Sequence, residues 1–136
     1  MVEFLDANVI IRYATNDQPD HAARAKNLFE QVEQGKRAVT TCEGVLVEAV
    51  YVLSSKKLYN RSREEIRDYL TSLLDLAGLQ LQHKRTYVRA LDLYASSKLS
   101  FVDALEVAHM ERSGIQTILN FDTHFDGIST VTRREP

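Results

Sequence analysis

Only one cysteine, Cys42, occurs among the 136 residues, so no disulfide can form within the chain and nothing in its cysteine usage points to an oxidising compartment. No stretch approaches the ~18 apolar residues of a membrane-spanning helix. The opening residues, Met1-Val-Glu-Phe-Leu-Asp6, lack the basic flank and long apolar run of a secretory leader. These absences give the expectation of a cytoplasmic protein with no membrane association. A basic excess is missing too. The formal net charge is −2, whereas a protein that relies on general attraction to phosphates usually carries a positive surplus. Any nucleic-acid contact must then be local. Basic clusters do occur, at Lys56-Lys57, Arg61 with Arg63, Lys84-Arg85 and Arg133-Arg134, but small clusters of this kind are commonly solvated surface.

What is present is an ordinary globular composition, with 44% hydrophobic and 26% charged residues. A chain of this length can bury roughly two-thirds of its unfolded surface and so build a core unaided. With no repeat, linker or low-complexity segment, residues 1–136 are expected to form one continuous domain. Short apolar runs at Val2–Leu5, Ala38–Thr40, Leu79–Leu81 and Thr117–Leu119 predict strands. Longer segments between them carry helical spacing. His21–Gln34 places Ala22, Ala25, Leu28, Phe29 and Val32 on one face, and Gly35 stops it. Residues from Cys42 to about Lys57 are apolar almost all round, which predicts a helix buried on most sides. Ser62-Arg-Glu-Glu65 is a capping box that opens a helix. Further helices are predicted over Lys84–Ser97 and from Ser100 to Gly114. Strands alternating with helices indicate an α/β fold with a parallel sheet covered on both faces.

In such a sheet ligand sites collect beyond the carboxyl ends of the strands. Asp6 directly follows the first predicted strand and Asp122 lies just beyond Thr117–Leu119, although an Asp after a strand is also a common turn or cap residue. Glu48 is the only charge in Gly44-Val-Leu-Val-Glu-Ala-Val-Tyr-Val-Leu53. A carboxylate there has few routes to water and is expected to be paired, protonated or bound to a cation, because an unpaired buried charge costs several kcal/mol. A Glu at the rim of a helix or paired with an arginine is the competing reading. Asp103, in Ser100-Phe-Val-Asp103, suits a helix start and can also face the same rim. Four acids converging in one crevice would raise each other's pKa values unless a cation held them. An oxygen-only site suits Mg²⁺, with Mn²⁺ as a substitute, and such an ion assists phosphodiester hydrolysis.

Phe4-Leu-Asp6-Ala-Asn8-Val-Ile, Leu46-Val-Glu48-Ala-Val, Ser100-Phe-Val-Asp103-Ala-Leu and Asn120-Phe-Asp122-Thr-His-Phe125 resemble the four acidic motifs of PIN-domain ribonucleases. Their order and spacing are most similar to the VapC-type toxins of toxin-antitoxin pairs. The resemblance implies a three-layer sandwich, a twisted parallel sheet of four to five strands flanked by helices. It also implies Mg²⁺-dependent cleavage of RNA, metal-site roles for Asp6, Glu48, Asp103 and Asp122, and an orienting hydrogen-bond role for Asn8. The partners it implies are an RNA substrate, a cognate antitoxin and a second copy of the chain. Asn120 departs from the Ser or Thr of many relatives. Glu106, one turn after Asp103, is a weaker candidate, and the histidines show no metal-ligand spacing. Two competing readings remain. An aspartate-nucleophile phosphatase would want a second acid where Asn8 stands, and a non-catalytic interaction module would keep the scaffold alone.

Overall fold

Val2–Phe4 and Ala38–Thr40 pair in parallel as β1 and β2, with Val2 opposite Ala38, Glu3 opposite Val39 and Phe4 opposite Thr40. The computed structural model describes residues 1–136, which gather into two compact units, Met1–Lys84 and Arg85–Pro136, each described here by itself.

In the first unit the β1–β2 pairing continues past the strands. The Leu5 amide donates to the Thr40 carbonyl at 2.8 Å, and the Thr41 hydroxyl donates to the Leu5 carbonyl at 2.9 Å. Leu5 and Val39 are buried, while Val2, Glu3 and Phe4 are exposed. The first strand therefore forms as expected, but its burial begins only at Leu5. Helix α1 (Ala7–Ala14) follows at once, buried through Ala7, Ile10 and Ile11. Helix α2 (Pro19–Glu33) starts with proline in its first turn, whose missing amide proton costs nothing there. It buries Ala25, Phe29 and Val32, and the Phe29 ring stacks on Tyr13 at 4.8 Å. Gly35 leaves the helix at φ +75°, a conformation most side chains resist.

Helix α3 (Glu43–Ser54) buries Val45, Leu46, Ala49, Val50 and Leu53. Helix α4 (Arg63–Leu74) opens on the expected capping box: the Glu65 amide donates to the Ser62 hydroxyl at 3.1 Å and the Ser62 amide donates back to the Glu65 carboxylate at 3.3 Å. That exchange, with Arg61 nearby, holds the Glu65 carboxyl below its ordinary range. The predicted strand at Leu79–Leu81 is reduced to one parallel bridge between Val39 and Leu79. Gly78 governs this approach. Its amide donates to Val32 O at 2.9 Å, its carbonyl accepts from Val39 N at 2.9 Å, and Gln80 N donates to Val39 O at 2.7 Å. Beyond Gln80 the chain turns, with His83 at φ +61°, so the ladder stops.

In the second unit, helix α5 (Lys84–Ser96) buries Tyr87, Ala90, Leu91, Leu93 and Tyr94. Helix α6 (Phe101–Ser113) ends at Gly114 with φ +71°. Tyr94 meets Phe101 edge-on at 5.9 Å. Strands β3 (Thr117–Leu119) and β4 (Thr132–Arg134) are parallel, with Ile118 opposite Arg133. Arg133 fastens this pair by donating to the Asp126 carboxylate at 2.9 Å and to the Asn120 carbonyl at 3.3 Å.

Helices and parallel strands thus make an α/β protein, as the sequence predicts. The strands pair in two sheets of two strands, β1 with β2 and β3 with β4. The structure shows these two pairs and not the single sheet of four to five strands that the resemblance implies.

A methyl group added at Gly78 would lie 2.2 Å from the Arg37 carbonyl oxygen and 2.7 Å from that of Val32. Both obstacles are backbone and cannot swing aside. Gly78→Ala should therefore destabilise the protein by about 3 kcal/mol, read as a fall in the urea midpoint; an unchanged midpoint would show that the segment is not held this closely.

Candidate functional site

Three of the sequence-predicted residues lie in the first unit and two in the second. Asp6 occupies the junction where β1 ends and α1 begins. Its extended backbone (φ −87°, ψ 159°) and its carboxylate, which accepts from the Asn8 amide at 3.5 Å, make it the cap of α1. The bland role and the functional one are compatible, because a cap bond of this length leaves the other carboxylate oxygen free for a ligand. Asn8 is exposed in the first turn of the helix.

Glu48 requires a correction. The apolar run around it predicts a helix buried on most sides and a carboxylate starved of water, yet Glu48 is exposed. At ~100° per residue the five buried positions of α3 centre near Leu53, and Glu48 falls roughly 130° away from that centre. Gly44 and Tyr51 share its open side, with Tyr51 75% exposed. No hydrogen bond or ion pair engages the Glu48 carboxylate, so it can accept a cation without breaking an internal contact.

In the second unit, Asp103 stands in the first turn of α6. Its amide donates to the Ser100 hydroxyl at 3.1 Å, which is half of the expected capping box. The other half is absent because the Asp103 carboxylate turns to His124, with Oδ2 at 3.5 Å from Nδ1 and its side chain 22% exposed. The two residues share a hollow of about 540 Å³ with Ser97, Lys98, Ser100 and Gly127. Asp122 is exposed, and its amide is tied to the Asn120 side-chain oxygen at 2.9 Å. Asn120 thus acts here as an acceptor that shapes the turn carrying Asp122.

Glu106, one turn beyond Asp103, has its carboxyl pushed above the ordinary range, first by burial and then by the negative charge of Asp103. Both causes disfavour the charged form of the carboxyl. Sequence reasoning ranked Glu106 low and gave His124 a structural role. The i, i+3 spacing from Asp103 was the available signal for Glu106; His124 had none, because a contact across a loop is invisible in the sequence.

Within neither unit do three or more His, Cys, Asp or Glu side chains come together in a way that could hold a metal ion. The donor chemistry within each unit nevertheless suits one: Asp6 and Glu48 in the first, and Asp103 and Asp122 in the second, offer carboxylate oxygens, the donors a hard divalent cation takes.

The sequence model of the PIN domain family matches residues 4–130. No curated protein matches the chain.

If Asp103 is the charge that raises Glu106, Asp103→Asn should lower the Glu106 titration midpoint toward the ordinary carboxylate value, leaving only the effect of burial. A raised native pKa means that stability falls as pH rises through it, and the variant should lose less over that window. Carboxyl ¹³C NMR of Glu106 checks the midpoint, and no movement would assign the whole effect to burial.

Proposed function

Because the chain belongs to the PIN domain family, generally a metal-dependent nuclease fold, we propose that it is a Mg²⁺-dependent endoribonuclease. Asp6, Glu48, Asp103 and Asp122 are its metal-holding acids and Asn8 orients a carboxylate or water. The observation that carries this assignment is the extent of the family match: residues 4–130 take in all five positions. Support also comes from the state of the acids. Asp6 and Glu48 are exposed without ion pairs, and Asp103 meets only a histidine, so none is committed to an arginine or lysine.

A bound divalent ion would lower the pKa of a water and offset charge developing on the phosphodiester. The remaining work falls to the chain. Asp6 and Glu48 present open carboxylates, the α6 cap at Ser100 fixes the first turn that carries Asp103, and Asn120 fixes the turn that carries Asp122. The Asn8 amide offers both a donor and an acceptor to a water or a phosphate oxygen. A toxin role, with a cognate antitoxin, a second copy of the chain and a cytoplasmic setting, belongs to the same proposal and rests on the likeness of the motifs to VapC-type toxins.

Purified protein free of any antitoxin should cut RNA with Mg²⁺ or Mn²⁺ and stop in EDTA. Asp6→Asn and Asp103→Asn should each lower cleavage by at least ~100-fold while the circular dichroism spectrum stays that of a folded chain. Metal-independent cleavage, or full activity in those variants, would remove the assignment. Expression of the active protein without any effect on growth would argue against the toxin role alone.

A further inference from the structure

A groove flanked by α1 and α2 in the first unit lies beside Asn8 yet contains none of the candidate acids. It encloses about 670 Å³, within the ~300–1,000 Å³ of ordinary ligand sites. Arg12, Arg24, Arg37 and His21 line it, and no Asp or Glu does. The arginines do have acidic partners, but those stand outside the lining. Glu3 accepts from Arg37 at 2.7 Å, Asp17 lies 3.6 Å from Arg12, and Asp20 comes only within 3.8 Å of Arg24. The first two pairs hold their guanidinium groups in place as walls. The third joins side chains 76% and 83% exposed, a contact worth ~0.3–0.5 kcal/mol, which leaves Arg24 able to turn to a ligand.

We propose that this groove binds the sugar-phosphate backbone of single-stranded RNA flanking the bond to be cut; the proposal rests on the ribonuclease assignment above. Guanidinium groups meet phosphate oxygens in a fork that matches their geometry. Asn8, Gln18 and Asn27 add neutral amides suited to ribose hydroxyls and base edges. The net charge of −2 denies the chain any general attraction for a polyanion, so affinity must come from local cations, and this groove gathers three arginines. Asn8 belongs both to the groove and to the candidate site two residues past Asp6. A strand seated here is therefore positioned to continue toward Asp6. An acidic peptide is the competing occupant. An amphipathic helix would want a broad apolar bed, whereas the apolar lining is Val9, Ala25 and Leu28 alone.

The test is fluorescence anisotropy of a labelled single-stranded RNA of mixed sequence, in EDTA so that nothing is cleaved, across a salt series. It uses the full chain, Arg24→Ala, Arg24→Glu and Lys26→Glu. Arg24 is exposed, so folding is not at risk, and Lys26 makes the same charge reversal on the same helix outside the groove. Arg24→Glu should weaken binding about tenfold, Arg24→Ala should reduce the salt slope by ~0.7, and Lys26→Glu should do far less. Equal losses from both reversals, no loss, or no RNA binding by the unaltered chain would overturn the proposal. So would a polyglutamate probe that binds in an Arg24-dependent way while RNA does not. Metal-dependent cleavage with Arg24-insensitive RNA affinity would remove the groove and keep the nuclease. Arg24-sensitive RNA binding without cleavage would do the reverse.

Discussion

Parallel pairing of β1 with β2 is the constraint on which the first unit depends. In a parallel pair both chains leave at the same edge, so the segment after Phe4 and the segment after Thr40 emerge side by side. The Thr41 hydroxyl on the Leu5 carbonyl closes that edge and fixes the register there. A slip of one residue would turn Leu5 and Val39 out of the core. The next residue after the clasp is Asp6, which has no further strand to join and instead caps α1. The position of the first acid is thus a consequence of strand register.

The same logic recurs in the second unit with different means. β3 and β4 are parallel, and Arg133 on β4 reaches the Asn120 carbonyl at the exit of β3 and the Asp126 carboxylate further along the loop. Between those two anchors lie Asp122 and His124, so a strand residue holds the loop that carries them. The Asn120 side chain then sets the turn. In both units an acid sits one or two residues past a hydrogen-bonded exit, where backbone bonds are already satisfied and the carboxylate is left for other work.

Helices with strong end signals were legible in the sequence. The Ser62 capping box, the Gly35 and Gly114 stops and the Ser100 cap each specify a local bond or a left-handed backbone, and each appears where the residues predict it. Strands were legible where a short apolar run marks them, as at β1, β2 and β3, and not elsewhere. β4 is Thr-Arg-Arg, with no apolar alternation to mark it, and exists because β3 offers it a ladder. Helix α1, whose Val9, Ile10 and Ile11 favour strands, exists because Asp6 caps it and Ile10 and Ile11 find the core. The site shows the same division. Asp6 and Asp122 became candidates from their places after strands, and Asp103 from a helix start together with the family resemblance. The burial argument for Glu48 fails, since composition around a residue does not say which side of a helix it occupies.

Arginines engage several acids of the first unit. Glu3, Asp17, Asp20 and Glu65 each stand beside an arginine, and Asp17 is further held below its ordinary range chiefly by the Tyr59 hydroxyl. Asp6 and Glu48 have no such partner. Arginine pairing therefore has two effects here: it neutralises some of the acids, and it holds the guanidinium groups of Arg12 on α1 and Arg37 beside the start of β2 in place. A chain with a net charge of −2 can in this way keep unneutralised carboxylates for a cation and oriented donors for an anion on one small unit. Both demands arise together in a metal-assisted attack on a phosphodiester, where the cation and the polyanion must be held at once.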